Sequence, residues 1–433
     1  MSNNVAVIGL SWGDEAKGKF VDYLSQKADT VIRFNGGNNA GHTIVADGIK
    51  YKLKLMPSGA PLERECIIAN GCVIDPEVLL EEIDVLKKLK KKINLKISST
   101  AHVIFPFHRT LDGLEEISKG KYSAGTTKRG VGPTYSDKSA RWGLRIFDLL
   151  NPEILKPKLE NLYNIKKSLI KIYDPNWNID IESIFEKYKA YGEKLRPYVI
   201  DTAYYLNKII DSGKKIVFEG AQGNLLSLDH GFYPFGTSSN ANALGISGGT
   251  GIPPKKIGKV LGIIKAYTSR VGEGKFPTEL FNNTAEQIRE QGNEYGTVTG
   301  RPRRVGWIDL FNIKYGMMIN GIDKIAITLL DALEGINPIE MCTHYELEGK
   351  PLESWPIQHE IIEKCTPIYK TFEGWEKRNR SEWLEIAKTG YDALPETMKI
   401  YIQAIKEELK TDFFAISIGP ERVATITMDE NFF

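Results

Sequence analysis

Apolar residues along this chain fall in short runs that end in small or polar residues, with helix-spaced patterns between them. The runs VAVIGL (5–10), VIRF (31–34), CIIAN (66–70), KIVFEGAQG (215–223), KVLGIIKAYTSR (259–270), DKIAITLLDALEG (323–335) and FFAISIGPER (413–422) each pass from apolar to polar. VATITM (423–428) predicts a last strand. Short continuous apolar runs suit strands buried on both faces. Helical spacing predicts helices from about Ala16 to Ser25, over PEVLLEEIDVLKKLKKK (76–92) with Pro76 at its start, and through Leu195, Val199, Ala203, Leu206 and Ile210 up to Gly213. The lysines of 76–92 fit a solvated helix face. In TIVADGIKYKLKL, Asp47-Gly48 suits a type I′ turn, and Tyr51, Leu53 and Leu55 alternate with Lys50, Lys52 and Lys54, which predicts a β-hairpin.

Strands alternating with helices predict an α/β fold, a large mostly parallel central sheet flanked by helices. Its N-terminal strand–loop–helix is P-loop-like. Glycines thin out and helical periodicity takes over across 151–212, so the expectation is a single large α/β catalytic domain over 1–433 with a mostly helical insertion at about 100–212. In such sheets ligands lie beyond the carboxyl ends of the strands, so the loops after those strands are where chemistry is expected.

Composition narrows the class. The chain has 433 residues, 42% hydrophobic and 26% charged, with a net charge of +2, which fits a globular protein and gives no sign of a nucleic-acid partner. Cys66, Cys72, Cys342 and Cys365 form no C-x-x-C pair and read as buried thiols in a reducing compartment. The N-terminal residues lack a secretory pattern and no apolar run reaches 18 residues, so the expected location is cytoplasmic, with no membrane contact.

Four loops carry candidate chemistry. WGDEAKGK (12–19) follows a strand and contains Gly-x-x-x-x-Gly-Lys, whose amides and helix N-terminus suit phosphate, with charge from Lys17 or Lys19. The hydroxyl that usually follows, and reaches magnesium, is replaced by Phe20. Asp14 is then a candidate magnesium ligand or general base, or simply the cap of the next helix. NGGNNAGHT (35–43) ends in His42, a candidate acid or electrophile, and the Gly41 carbonyl offers a metal an oxygen. SAGTTKRGVGPTYSDKSARWG (123–143) mixes Gly, Thr, Lys and Arg, and GTVTGRPRRVGW (296–307) gathers Arg301, Arg303 and Arg304, suited to an anion or to a plain solvated turn. Gln222 and Thr237 add neutral polar groups near strand ends.

In this order and spacing, WGDEAKGK, GGNNAGHT, GTTKRGVGP, EGAQG, FPTEL, QGNEYG and TGRPRRVGW closely resemble the motifs of the adenylosuccinate synthetase family, from about Val5 to GPER at 419–422. The resemblance implies a C–N ligase of AMP biosynthesis, de novo and salvage. It joins IMP and L-aspartate with cleavage of GTP to GDP and phosphate, through 6-phosphoryl-IMP, with one Mg2+ per subunit. By the family pattern Asp14 takes the N1 proton of IMP, His42 bonds O6, Lys17 neutralises phosphate and Gln222 assists, while Asp14 and the Gly41 carbonyl hold the metal. GTP contacts are implied for Gly13, Asp14, Glu15, Ala16, Lys17, Gly18, Lys19, Gly41, His42, Thr43 and Arg303. Leu329, Leu330, Asp331, Ser417, Ile418 and Gly419 are implied for the guanine, with Asp331 reading its N1–H and amino group. IMP contacts fall on Asp14, Glu15, Ala16, Lys17, Asn39, Ala40, Gly41, His42, Thr127, Gln222, Thr237 and Arg301. Arg141 is implied to reach the IMP of a neighbouring subunit in a homodimer. The aspartate loop is implied at Thr297, Val298, Thr299, Gly300, Arg301, Pro302 and Arg303.

The chain departs from the family pattern at Ala16 (usually Gly), Leu329 (usually Lys), Ile418 (usually Thr) and Asn38 (usually His). A different P-loop kinase or ligase explains WGDEAKGK but leaves NAGHT and TGRPRR without a task. A GTP-binding switch and a non-catalytic paralogue are rival readings of the same loop, and the switch needs a hydroxyl where Phe20 stands.

Overall fold

The structure, a computed structural model, describes residues 3–46, 48–296, 300–356 and 358–433. The apolar runs become strands Asn4–Gly9 (β1), Thr30–Arg33 (β2), Glu65–Ile68 (β3), Ile216–Glu219 (β6), Lys259–Lys265 (β7), Lys324–Thr328 (β8), Phe413–Ser417 (β9) and Thr425–Thr427 (β10), and two strands outside those runs, Leu95–Ser98 (β4) and Val199–Ile200 (β5), join them. Among the described residues these ten pair into one sheet in the order β10-β9-β8-β7-β1-β6-β2-β3-β4-β5. Every pairing is parallel except β9 with β10. β1 shows why its run is continuously apolar. Val5 and Val7 face helix Lys17–Ser25 (α1), with Phe20, Val21 and Leu24, while Ala6 and Ile8 face the other layer with Leu206 and Ile246. Both faces are covered, so alternation is lost.

Two sequence expectations change. The helix read through Leu195 to Ile210 is broken, since helix Ile181–Leu195 gives way to a short turn Arg196–Tyr198, the edge strand β5 and helix Thr202–Asp211. Pro197 supplies no N–H to continue a helix, and Asp201 starts the next one by accepting from Tyr204 N at 3.2 Å. KVLGIIKAYTSR likewise splits into β7 and strand Tyr267–Arg270 of a second sheet, where it pairs antiparallel with Arg304–Asp309. The hairpin keeps its expected register, Ala46 opposite Ile49, with Tyr51 and Leu53 buried; Asp47 lies outside the described residues. Between 100 and 212 lie helices Pro106–Ser118, Val131–Ala140, Ile146–Leu149, Pro152–Tyr173, Ile181–Leu195 and Thr202–Asp211.

Candidate active site

A parallel sheet puts the carboxyl ends of its strands along one edge. The loops after β1, β2, β6, β8 and β9 therefore share that edge, and they are the ones carrying Asp14, His42, Gln222, Asp331 and Gly419. The loop after β1 turns on left-handed backbone at Gly13 (φ 85°), Asp14 (φ 58°) and Ala16 (φ 60°). Non-glycine residues seldom adopt such angles, and they concentrate at functional loops. The buried Glu15 carboxylate holds the turn, accepting from Ser11 N at 3.2 Å and Gly13 N at 2.8 Å and pairing with Lys17 Nζ at 2.6 Å. One of the two acids is thus structural. Lys17, expected to face phosphate, is engaged by that acid here. Phe20 is fully buried against the sheet, edge-on to Phe414. Position 20 belongs to the core, which is why a metal-reaching hydroxyl is absent there.

Asp14 does not cap α1; the capping position is Ala16, with no side-chain bond. Its side chain, 37% exposed, pairs with Arg303 Nε at 3.1 Å. Arg303 also donates to Glu294 Oε2 at 2.7 Å. Glu294 is buried and takes further bonds from Lys265 and the Tyr267 hydroxyl. Burial would push its carboxyl up, but Lys265 and Arg303 outweigh burial and hold it below the usual range. An ion network, buried at Glu294 and open to solvent at Asp14, thus ties the phosphate loop to the arginine loop. In that loop Gly296 N donates to Arg301 O at 2.8 Å and Gly300 N to Gly296 O at 2.7 Å. Thr297, Val298 and Thr299 lie outside the described residues.

His42 opens strand His42–Ala46, and its ring sits on Gly18 of the phosphate loop, where an added Cβ would lie 3.5 Å from His42 Cβ. Its Nε2 is buried, without a hydrogen-bond partner, 3.7 Å from Glu219 Oε1. Burial pulls the imidazole pKa below its ordinary value, while the Glu219 charge and a bond with the Ala40 backbone pull it up. Glu219 ends β6 and accepts from both Ser58 N and Ser58 Oγ at 2.8 Å. Gln222 (φ 61°) leans on both loops, its backbone 3.5 Å from a Cβ built on Gly13 and its Oε1 3.3 Å from one built on Gly36. That oxygen is buried and unpartnered.

Asn39 Oδ1 accepts from Gly37 N at 3.2 Å, whereas Asn38 turns away to donate to Asp75 at 2.8 Å. Thr127 rides on a loop pinned by Asp112 and Glu116, and Thr237 N donates to Leu226 O at 2.7 Å. Arg141 ends helix Val131–Ala140 with an exposed side chain, and among the described residues no hydrogen bond or ion pair ties it to the loops above.

At the far end of the edge, burial raises the Asp331 carboxyl to about 6, and its Oδ1 is unpartnered. Lys19 reaches this corner rather than phosphate space, donating to Ser417 Oγ and Gly419 O, both at 2.6 Å; burial lowers it to about 7. Sequence reasoning missed Glu219, Glu294 and Arg380. Glu219 had a signal, a lone acid closing an apolar run. Arg380, 4.0 Å from Asp331, lies in a stretch without a distinctive motif.

This edge defines a nucleotide-dependent α/β enzyme with an acid built into its phosphate loop. A family model described as adenylosuccinate synthetase matches residues 6–426. The chain is 48% identical over 428 residues to an adenylosuccinate synthetase of Thermoanaerobacter sp. (strain X514), covering 98% of this chain and 99% of that one. It is 46% identical to that of Brachyspira hyodysenteriae, covering 99% and 100%. A fully ligated adenylosuccinate synthetase from Plasmodium falciparum superposes with a TM-score of 0.92 at 39% identity, covering 99% and 100%. A cyanophage S-2L succinoaminodeoxyadenylate synthetase (TM-score 0.61, 18% identity, covering 99% and 95%) shares the fold. The chain belongs to the adenylosuccinate synthetase family. It is a ligase that joins IMP to aspartate with GTP as co-substrate and Mg2+.

Proposed function

We propose that Asp14 is the base and His42 the O6-binding group of this ligation, carried out on the edge beyond β1, β2 and β6. Asp14 takes the N1 proton of IMP, and the electrons released make O6 the nucleophile toward the γ-phosphorus of GTP, whose bond to the β–γ bridging oxygen breaks as GDP leaves. His42 donates to O6 and steadies the charge that moves there. The resulting 6-phosphoryl-IMP has a good leaving group, so the aspartate amine adds at C6 and phosphate departs. Arg301 and Arg303 bind the aspartate carboxylates, and Gln222 and Asn39 orient the purine. The observation that carries the reading is the seating of His42 on Gly18, within the loop that presents Asp14.

Among the described residues no group of three or more His, Cys, Asp or Glu side chains forms a metal cage. That fits Mg2+, which takes one or two protein oxygens plus substrate phosphates; Asp14 and the Gly41 carbonyl would hold it. When bound, it offsets charge on the β- and γ-phosphates. The test is to mix the protein with IMP, aspartate, GTP and Mg2+ and follow adenylosuccinate by absorbance. No product with all substrates present defeats the reading, and GTP hydrolysis independent of IMP favours a switch.

The active unit is a homodimer in which Arg141 reaches the neighbouring IMP. The exposed Arg141 beside Trp142, itself 51% exposed, supports this. Arg141→Leu should raise the KM for IMP on the order of 10-fold or more, as loss of a charged hydrogen bond implies. Mixed with Asp14→Asn, it should regain activity through hybrid dimers with one intact site; confirmed hybrids that stay inactive rule out sharing. The four cysteines are free and buried, and no helix among the described residues is long and apolar enough to cross a membrane. Free thiols support a cytoplasmic location.

A further inference from the structure

The corner around Asp331 holds a second charged side chain. Arg380 is the first residue of helix Arg380–Thr389, fixed by a capping box in which Asn379 and Glu382 bond each other's backbone. Its Nη1 donates to Ile418 O at 2.8 Å, its Nε to Glu421 Oε1 at 3.1 Å, and its Nη2 to Glu421 Oε2. Nη1 also lies 4.0 Å from Asp331 Oδ2. The guanidinium rests directly on Gly419, where an added Cβ would fall 2.3 Å from Cζ, so only glycine leaves room for it. Each terminal nitrogen carries a further N–H beyond these bonds. Beside this donor fork stands the buried, unpartnered Asp331 Oδ1. Leu329 and Leu330, just before Asp331, bring no polar side chain to the corner.

An acceptor carboxylate next to an arginine fork matches one kind of purine. Guanine offers N–H donors at N1 and the 2-amino group, and acceptors at O6 and N7, the pair that arginine grips best. Adenine turns an amino donor toward the arginine and a lone pair toward the carboxylate. A site built for one hydrogen-bond pattern rejects the other because its buried groups stay unpaired. We infer that Arg380 is a second specificity-determining residue for the nucleotide base, donating to the 6-oxo edge while Asp331 accepts from N1–H and the 2-amino group. Glu421 holds the fork in place before the base arrives. This rests on the reading of Asp331 as the guanine contact.

The experiment compares kcat/KM for GTP, ITP and ATP, at saturating IMP and aspartate, in Arg380→Ala, Arg380→Lys and Asp331→Asn. Arg380→Ala should lower kcat/KM for GTP and for ITP, which keeps O6 and N7, by on the order of 10–100-fold each. ATP should lose much less, and the KM for IMP should hold, which also reports an intact fold. Arg380→Lys, a charge without the fork, should recover part of the loss. A GTP-to-ATP ratio unchanged in Arg380→Ala overturns the inference, as does tighter GTP binding, the mark of a side chain that merely fills the pocket. If Asp331→Asn collapses the ratio while Arg380→Ala leaves it intact, only the Arg380 assignment falls. If neither changes it, the guanine reading of this corner falls as well.

Discussion

Asp14→Asn should lower kcat by on the order of 10^4, the upper range for loss of a general base, with the fold intact. The carboxylate is more than a third exposed and its ion pair is with Arg303, which keeps Glu294. Loss of such a pair costs at most about 1 kcal/mol of stability, so the thermal midpoint should barely move. Glu15 cannot take over, because both its oxygens are committed to loop amides and Lys17. The measurement is steady-state turnover beside thermal unfolding. Residual activity within 10-fold of the parent (about 1.4 kcal/mol in barrier) would show that another group removes the N1 proton.

The second large effect belongs to His42. His42→Asn should reduce kcat by on the order of 10^3, and Glu219→Gln by on the order of 10-fold or more. The sign of the pH dependence follows from the surroundings. Burial lowers the imidazole pKa and the Glu219 charge raises it. With Nδ1–H held by the Ala40 backbone, Nε2 carries a proton only in the imidazolium, and removing the Glu219 charge lowers the pKa further, so that donor form is lost at lower pH. In Glu219→Gln the alkaline limb of the kcat profile should shift to lower pH. A limb that stays put would separate His42 titration from turnover. In that variant the amide oxygen can keep the bond from Ser58 N, while Ser58 Oγ, which donated to the other carboxylate oxygen, turns to accept from the amide N–H.

Much of this site was legible along the chain because its parts are local. A strand, a glycine turn and a helix start within 20 residues place the phosphate loop by short-range rules alone, and the run at 31–34 places His42 in the same way. Ion partners are a different matter. The partners Arg303–Asp14, Glu294–Lys265 and Arg380–Glu421 are brought together by the order in which strands pair, which no local pattern encodes. The same holds for Lys17 and Lys19. The motif supplied two cations for phosphate, and the fold commits one to Glu15 and the other to the loop after β9. The helix break near Arg196 did carry a local signal, since Pro197 and Asp201 both mark a boundary; the apolar spacing across it masked them.

The placement of β1 bears on how the polypeptide is made. β1 lies mid-sheet between neighbours translated long after it, with Asn4 beside Ile216 and Val5 beside Lys259. Its apolar flanks wait until those distant neighbours are translated, a delay on the order of 10–50 s at about 5–20 residues per second. The loop hung on β1, proposed above to present the catalytic base, is thus assembled late in biogenesis. Nascent chains halted before residue 259 should carry β1 with an unpaired, sticky apolar edge, a natural client for chaperones.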